Sequence, residues 1–158
     1  SCGADTLGQQ QVMATWLVDT NVWLALLEER HAFHRTTVAW WNALHMDDRV
    51  LFCRSTQQSF LRLRTTDALT MAYGLEPDTN ATAWQAYQTL RKDERIELVD
   101  EPVTLEAEWK ALAAVGMASP KLWMDAYLAA FAIAGSFRLV TIDKAFKQFK
   151  RLNLLLLQ

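Results

Sequence analysis

Three aspartates in this chain stand where a carboxylate needs a reason to be. Asp19 ends the apolar run Trp16-Leu17-Val18, and Asp143 ends the run Phe137 to Ile142. Asp125 lies about one turn into a helix that is apolar almost all round, Leu122-Trp123-Met124-Asp125-Ala126-Tyr127-Leu128-Ala129-Ala130-Phe131-Ala132. An ionised carboxylate in apolar surroundings is costly unless something compensates it. A helix N-terminus offsets only about 0.3–1 kcal/mol of that cost. A shared cation compensates all three far better. Oxygen ligands with water completing the shell suit Mg²⁺ or Mn²⁺. Such a centre activates water and stabilises phosphoryl oxygens, so the chemistry it points to is phosphodiester hydrolysis. Each acid also has a plainer reading: Asp19 as a helix N-cap, Asp125 as the partner of an Arg or Lys, Asp143 as a turn or cap residue. The three together are more specific than any one alone.

The elements around them must bring them together. Trp16 to Val18 reads as a short buried strand, with Thr20 and Asn21 capping a helix from Val22 to about Glu28. A second helix spans about His34 to Leu44, and Arg49 to Cys53 reads as a second strand. Ser55 or Thr56 caps a third helix, Gln57 to about Thr65, and a further helical piece covers Thr66 to Leu75. Asn80 to Lys92 is helical by the spacing of Trp84, Tyr87 and Leu90, and Ile96 to Val99 is a third strand. Pro102 starts a helix that stops at Gly116, and Ser119-Pro120 opens the Asp125 helix, which stops at Gly135. Phe137 to Ile142 is the fourth strand, Lys144 to Lys150 a short helix, and Leu152 to Leu157 an edge strand. Strands alternating with helices predict an α/β fold with a short parallel sheet covered on both faces. In such sheets strand C-termini and helix N-termini meet at one edge, where the three aspartates can converge.

Composition narrows the setting. The 158 residues are 51% hydrophobic and 22% charged, which fits one globular domain. A net charge of −2 and a pI near 5.9 advertise no broad nucleic-acid field, although a bound metal and local basic groups supply one where it is needed. Cys2 and Cys53 form no disulfide framework, and Cys53 reads as a small core residue. No apolar run approaches the ~18 residues of a membrane span, and no secretory signal is visible, so a cytoplasmic setting is expected. Residues 1–12 are polar and aperiodic. They read as a disordered arm or an expression scar, with Met13 as a native start and 13–158 as a single domain.

The blocks Leu17-Val18-Asp19-Thr20-Asn21-Val22, Met124-Asp125-Ala126-Tyr127-Leu128-Ala129-Ala130 and Leu139-Val140-Thr141-Ile142-Asp143-Lys144-Ala145-Phe146 resemble the signature blocks of PIN-domain ribonucleases, above all the VapC toxins of toxin–antitoxin pairs. His31-Ala32-Phe33-His34 with Trp40-Trp41, and Phe60-Leu61-Arg62-Leu63, are similar to one VapC subgroup, and the resemblance runs from roughly Ala14 to Leu156. It implies a PIN-like three-layer α/β/α fold with a short, mainly parallel sheet. It further implies a Mg²⁺- or Mn²⁺-dependent endoribonuclease that leaves a 5′-phosphate and a 3′-hydroxyl. Its acids and metal ligands would be Asp19, Asp125 and Asp143. Asn21 would orient Asp19, and Thr141 would support the acids or touch the scissile phosphate or a metal-bound water. A homodimer neutralised by a small VapB-like antitoxin is implied as well.

One segment departs from the pattern. Many PIN nucleases carry a fourth acid, usually a glutamate, early on the helix after the second strand. Here that segment is Ser55-Thr56-Gln57-Gln58-Ser59-Phe60-Leu61-Arg62, with no acid. Gln58 offers an amide oxygen to a metal, to its water or to RNA, but no charge. The departure motivates a second reading, a catalytically quiet PIN fold that binds RNA or a protein. A haloacid-dehalogenase-type reading with Asp19 as nucleophile wants an aspartate two residues on, where this chain has Asn21. For RNA contact, Arg62 is preferred over Arg64, and Lys144 leads a basic run with Lys147, Lys150 and Arg151. His31 and His34 lack a third soft ligand and read as loop-capping or solvent-facing. Of the seven tryptophans most belong in the core, leaving a few for stacking on bases or against a partner.

Overall fold

The computed structural model describes residues 13–74 and 76–158. The reading of residues 1–12 as an arm or scar lies outside them, as does Leu75. In chain order the elements are β1 (Thr15–Val18), α1 (Thr20–Leu27), α2 (His34–Ala43), β2 (Arg49–Cys53), α3 (Arg54–Arg64), α4 (Asp67–Ala72), α5 (Asn80–Arg91), β3 (Ile96–Val99), α6 (Leu105–Ala113), α7 (Leu122–Gly135), β4 (Arg138–Thr141), a 3-10 turn (Lys144–Gln148) and β5 (Leu154–Leu156).

The sheet order is β3-β2-β1-β4-β5, and every neighbouring pair is parallel. The expected mainly parallel sheet is therefore wholly parallel. β1 sits in its centre because Trp16, Leu17 and Val18 can be buried on both faces. Leu17 pairs in register with Leu51 on one side and Leu139 on the other. The chain moves outward from β1 to β2 and β3, then returns to place β4 on β1's other flank. That reversal opens a crevice beyond the C-termini of β1 and β4, the usual ligand position in open α/β sheets.

Alternation along the strands divides the core. Leu17, Leu51, Cys53 and Leu139 face one layer, with α6 and α7. Trp16, Val18, Val50, Phe52 and Val140 face the other, with α1, α2, α3 and α5. This is the three-layer α/β/α architecture. On the second face Trp23 stacks on Phe52 with ring centroids 4.0 Å apart. Cys53 is fully buried and free, as its reading as a core residue expects, and burial pushes its thiol pKa up.

Several local expectations need correction. α7 is buried from Ala126 onward apart from scattered partly covered positions, but its first turn is not: Trp123 and Met124 are exposed. Apolar composition alone could not show that this turn is left uncovered. The helix expected from Pro102 begins at Leu105, whose N–H donates to the Pro102 carbonyl in a preceding turn. Gly135 does not stop α7 by a left-handed conformation; Ser136 does, at φ 56°. Gly135 has a different reason to be glycine, since a Cβ there would come within 2.2 Å of the Phe137 ring. The histidines do cap the loop between α1 and α2. His31 Nδ1 accepts from the Phe33 N–H at 3.0 Å, and His34 Nδ1 lies 2.7 Å from the Ala25 carbonyl oxygen.

Candidate active site

Asp19 is the residue after β1 and the N-cap of α1. Its N–H donates to the Val140 carbonyl, which ties the end of β1 to β4. Its carboxylate is held at both oxygens. Oδ1 accepts from the Thr20 N–H at 2.7 Å, and Oδ2 accepts from the Thr141 hydroxyl at 2.7 Å. The plain reading of this side chain, a helix cap, therefore holds and leaves its second oxygen to other contacts. Cap duty uses one oxygen, and Thr141, the last residue of β4, fixes the other.

Thr141 is fully buried, and its hydroxyl links two acids. While donating to Asp19 it accepts the Asp143 N–H at 3.0 Å. Asp143 in turn caps the 3-10 turn, accepting the Ala145 N–H at 2.9 Å. Asp125 enters from the first turn of α7. The three aspartates line a single cleft of about 150 Å³, together with Thr20, Asn21, Ser55, Thr56, Ser59, Met124, Leu128 and Phe146. The crevice at the reversal of strand order is thus where they converge.

Electrostatics mark the cleft as strained for charge. Burial raises the Asp19 pKa above the ordinary aspartate value; the bonds from Thr141 and Thr20 oppose this, while Asp143 and Asp125 add to it. Asp125 is also raised, chiefly by burial and then by Asp143, with Lys121 partly offsetting. Asp19 and Asp125, each raised by burial and by an acidic neighbour, would be stabilised as anions by a cation in the cleft. The donors lining the cleft are oxygens, which suits a hard divalent ion rather than a soft one. Among the described residues no three His, Cys, Asp or Glu side chains already close on a single point. Bound water or a substrate oxygen would have to complete the shell.

The remaining sequence candidates divide. Asn21 lines the cleft but is exposed and makes no hydrogen bond to Asp19 among the described residues; the Thr20 backbone and Thr141 orient that acid instead. Lys144 is exposed and adjoins Asp143. Gln58 does not line the cleft and faces solvent. The cause is the start of α3. The helix begins at Arg54 with Cys53 as N-cap, and the Thr56 hydroxyl accepts the Cys53 N–H at 3.0 Å. Cap rules favour Ser over Cys, which is why the start expected at Gln57 falls three residues after the observed one at Arg54. From Arg54 onward, Ser55 and Ser59 face the acids, and Gln58 lies about a quarter turn away. Ser55 and Ser59 were the residues missed, and a period of four with the aspartate cleft is the signal that would have found them. Arg62 is exposed and lines a different cleft, while Arg64 is bridged to Asp78 at 2.6 Å.

Comparison with known proteins agrees with this fold. The chain is 49% identical over 142 residues to Ribonuclease VapC41 of Mycobacterium tuberculosis, an alignment covering 89% of this chain and 97% of the relative. Among solved structures it is similar to VapBC2 from Rickettsia felis bound to a DNA fragment from their promoter, with a TM-score of 0.63, 14% identity and coverage of 91% of this chain and 99% of that one. It is also similar to Mycobacterium tuberculosis VapC20, a sarcin-ricin loop cleaving toxin, with a TM-score of 0.60, 17% identity and coverage of 87% and 97%. At those identities the solved structures speak for the fold. The family profile described as PIN domain matches residues 16–152. With its aspartate cleft at the reversal of a parallel sheet, this chain belongs to the PIN domain family.

Proposed function

We infer that this protein is a divalent-metal-dependent endoribonuclease of VapC type, hydrolysing RNA phosphodiester bonds in the cleft of Asp19, Asp125 and Asp143. The observation that carries the reading is that these acids, drawn from three distant parts of the chain, line one cleft. The 49% identity to a protein named as a ribonuclease supports the same reading.

Asp19, Asp125 and Asp143 would hold the metal, and Mg²⁺ or Mn²⁺ matches their oxygen donors. When bound, the ion supplies a Lewis acid for water and for the phosphoryl oxygens. The chain's own contribution is preorganisation. Thr141 and the Thr20 N–H fix the Asp19 rotamer, and the Asp143 backbone is fastened to the same hydroxyl. Asp19 and Asp143 therefore do not need to be reoriented when substrate arrives. Ser55 and Ser59 bring neutral hydroxyls to the same cleft, from the helix that carries no acid here. Lys144 beside Asp143 offers a cation to the RNA backbone.

Solved structures of VapBC assemblies support a VapB-like antitoxin as partner, and a homodimer belongs to the same proposal. No helix among the described residues is long and apolar enough to cross a membrane, and a cytoplasmic setting suits an RNA substrate. The test is cleavage of a panel of structured RNAs with Mg²⁺ or Mn²⁺, alongside Asp19→Asn. Metal-dependent cutting by the parent alone is expected; equal cutting by the variant would refute the assignment.

A second reading has its own observation: the α3 wall of the cleft carries no acid. On that reading the fold binds RNA or protein without cutting. Calorimetric titration with Mn²⁺, with and without RNA, separates the two. Binding is expected for the nuclease, and none in either condition would favour the quiet fold.

A further inference from the structure

α3 leads out of the acid cleft along a defined line. At 100° per residue, Ser55, Ser59 and Arg62 fall within about 60° of one another on the helix surface. Ser55 and Ser59 line the acid cleft; Arg62, one turn beyond Ser59, lines a second cleft between α3 and α5. That cleft measures about 300 Å³ and is walled by Leu61, Arg62, Thr65, Asn80, Ala83 and Trp84. Its volume is at the lower end of ligand pockets, which begin at roughly 300 Å³.

The lining has one charge, and that charge is positive. Of the three arginines on α3, Arg54 donates to Gln57 and Arg64 is bridged to Asp78. The Arg62 guanidinium has no hydrogen bond or ion pair among the described residues, and no acid lines its cleft. Beside it Trp84 is 45% exposed, an uncommon state for a side chain with so much apolar area. Its inner edge is supported by Tyr87, with ring centroids 5.4 Å apart. A free guanidinium, a half-exposed indole and an amide within one cleft are groups that suit single-stranded nucleic acid: a cation for phosphate, a π system for a base and a polar group for a base edge.

We propose that the α3–α5 cleft is a nucleotide subsite of the RNA path, in which Arg62 takes a backbone phosphate and Trp84 stacks on a base. It rests on the ribonuclease reading. Seven residues of helix separate Ser55 from Arg62, about 10 Å along the axis. At ~3.4 Å per stacked nucleotide the subsite lies about three nucleotides from the bond that is cut. Trp84 and Arg62 are positioning and specificity residues, remote from the reacting atoms.

The test titrates fluorescein-labelled single-stranded RNAs of mixed sequence, lengthened one nucleotide at a time, onto Asp19→Asn protein. Trp84→Ala, Trp84→Phe and Arg62→Ala are compared in that background. Trp84→Ala weakens binding about tenfold for RNAs long enough to reach the cleft and leaves the shortest unchanged, and Trp84→Phe keeps most of the affinity. Arg62→Ala lowers the slope of log affinity against log salt by about one. Unchanged affinity and salt slope at every length overturn the subsite. So does loss of a co-expressed antitoxin by these variants with RNA binding intact, which would make the cleft a protein-docking surface. Failure of the parent protein to cut any RNA would instead remove the ribonuclease reading, and the binding series would still decide the subsite.

Discussion

At the scale of the residue, Asp19 carries two demands that conflict. Its burial and its acidic neighbours oppose ionisation, yet a metal-binding role requires the ionised form. With its folded pKa raised, the side chain favours the folded state only at acid pH. That contribution fades as pH rises through the folded value, and near neutrality the buried charge is a penalty. Metal-free Asp19→Asn protein is therefore expected to melt higher than the parent at neutral pH, with the gap closing in acid; thermal denaturation in chelator across pH checks this. Thr141 is the complementary case. Thr141→Val keeps the shape but removes the bond to Asp19 and the acceptor for the Asp143 N–H, so RNA cleavage should fall about 10–100-fold while the fold survives. A steady-state rate equal to the parent's would show that Thr141 only fills space. Asp19, Asp125 and Asp143 stand out in the sequence because each interrupts or ends an apolar pattern, whereas Thr141 stands out only through the family resemblance. The pairing of Asp19 with Thr141, 122 residues apart, was not legible from pattern, since only the parallel register of β1 with β4 creates it.

At the scale of the element, α3 decides which residues face the acids. Strand and helix existence could be read from periodicity, including the five strands that build the sheet. Phase could not, because Cys53 as N-cap breaks the usual cap chemistry and moves the helix start. The Thr56 hydroxyl both accepts the Cys53 N–H and donates to the Cys53 carbonyl, so Thr56→Ala should cost about 1 kcal/mol in denaturant unfolding. It should also reduce cleavage by loosening Ser55 and Ser59. The end of α7 offers a second check. Gly135→Ala forces a Cβ against the Phe137 ring, a crowding expected to destabilise by about 1–3 kcal/mol. An alanine variant as stable as the parent would mean that the ring moves aside freely.

At the scale of the whole molecule, the parallel sheet acts as a frame whose reversal at β1 collects side chains from the ends of β1 and β4 and the start of α7. Its net charge of −2 gives RNA no general welcome, so attraction must be local: the metal, Lys144 and, on our proposal, Arg62. Divalent metal that binds only the folded state raises stability by about 2.7 kcal/mol at a hundred times its Kd. Mn²⁺ should accordingly raise the melting temperature of the parent and leave Asp19→Asn unmoved. The central claim is that Asp19, Asp125 and Asp143 act as one centre, and the most direct measurement is single-turnover RNA cleavage in Mn²⁺ by the parent, each single Asp→Asn variant and their double combinations. Groups that act as a unit are strongly non-additive. Each single variant should drop to background, with no further loss in the doubles. A single variant that cuts as well as the parent, or doubles whose losses multiply, would contradict it.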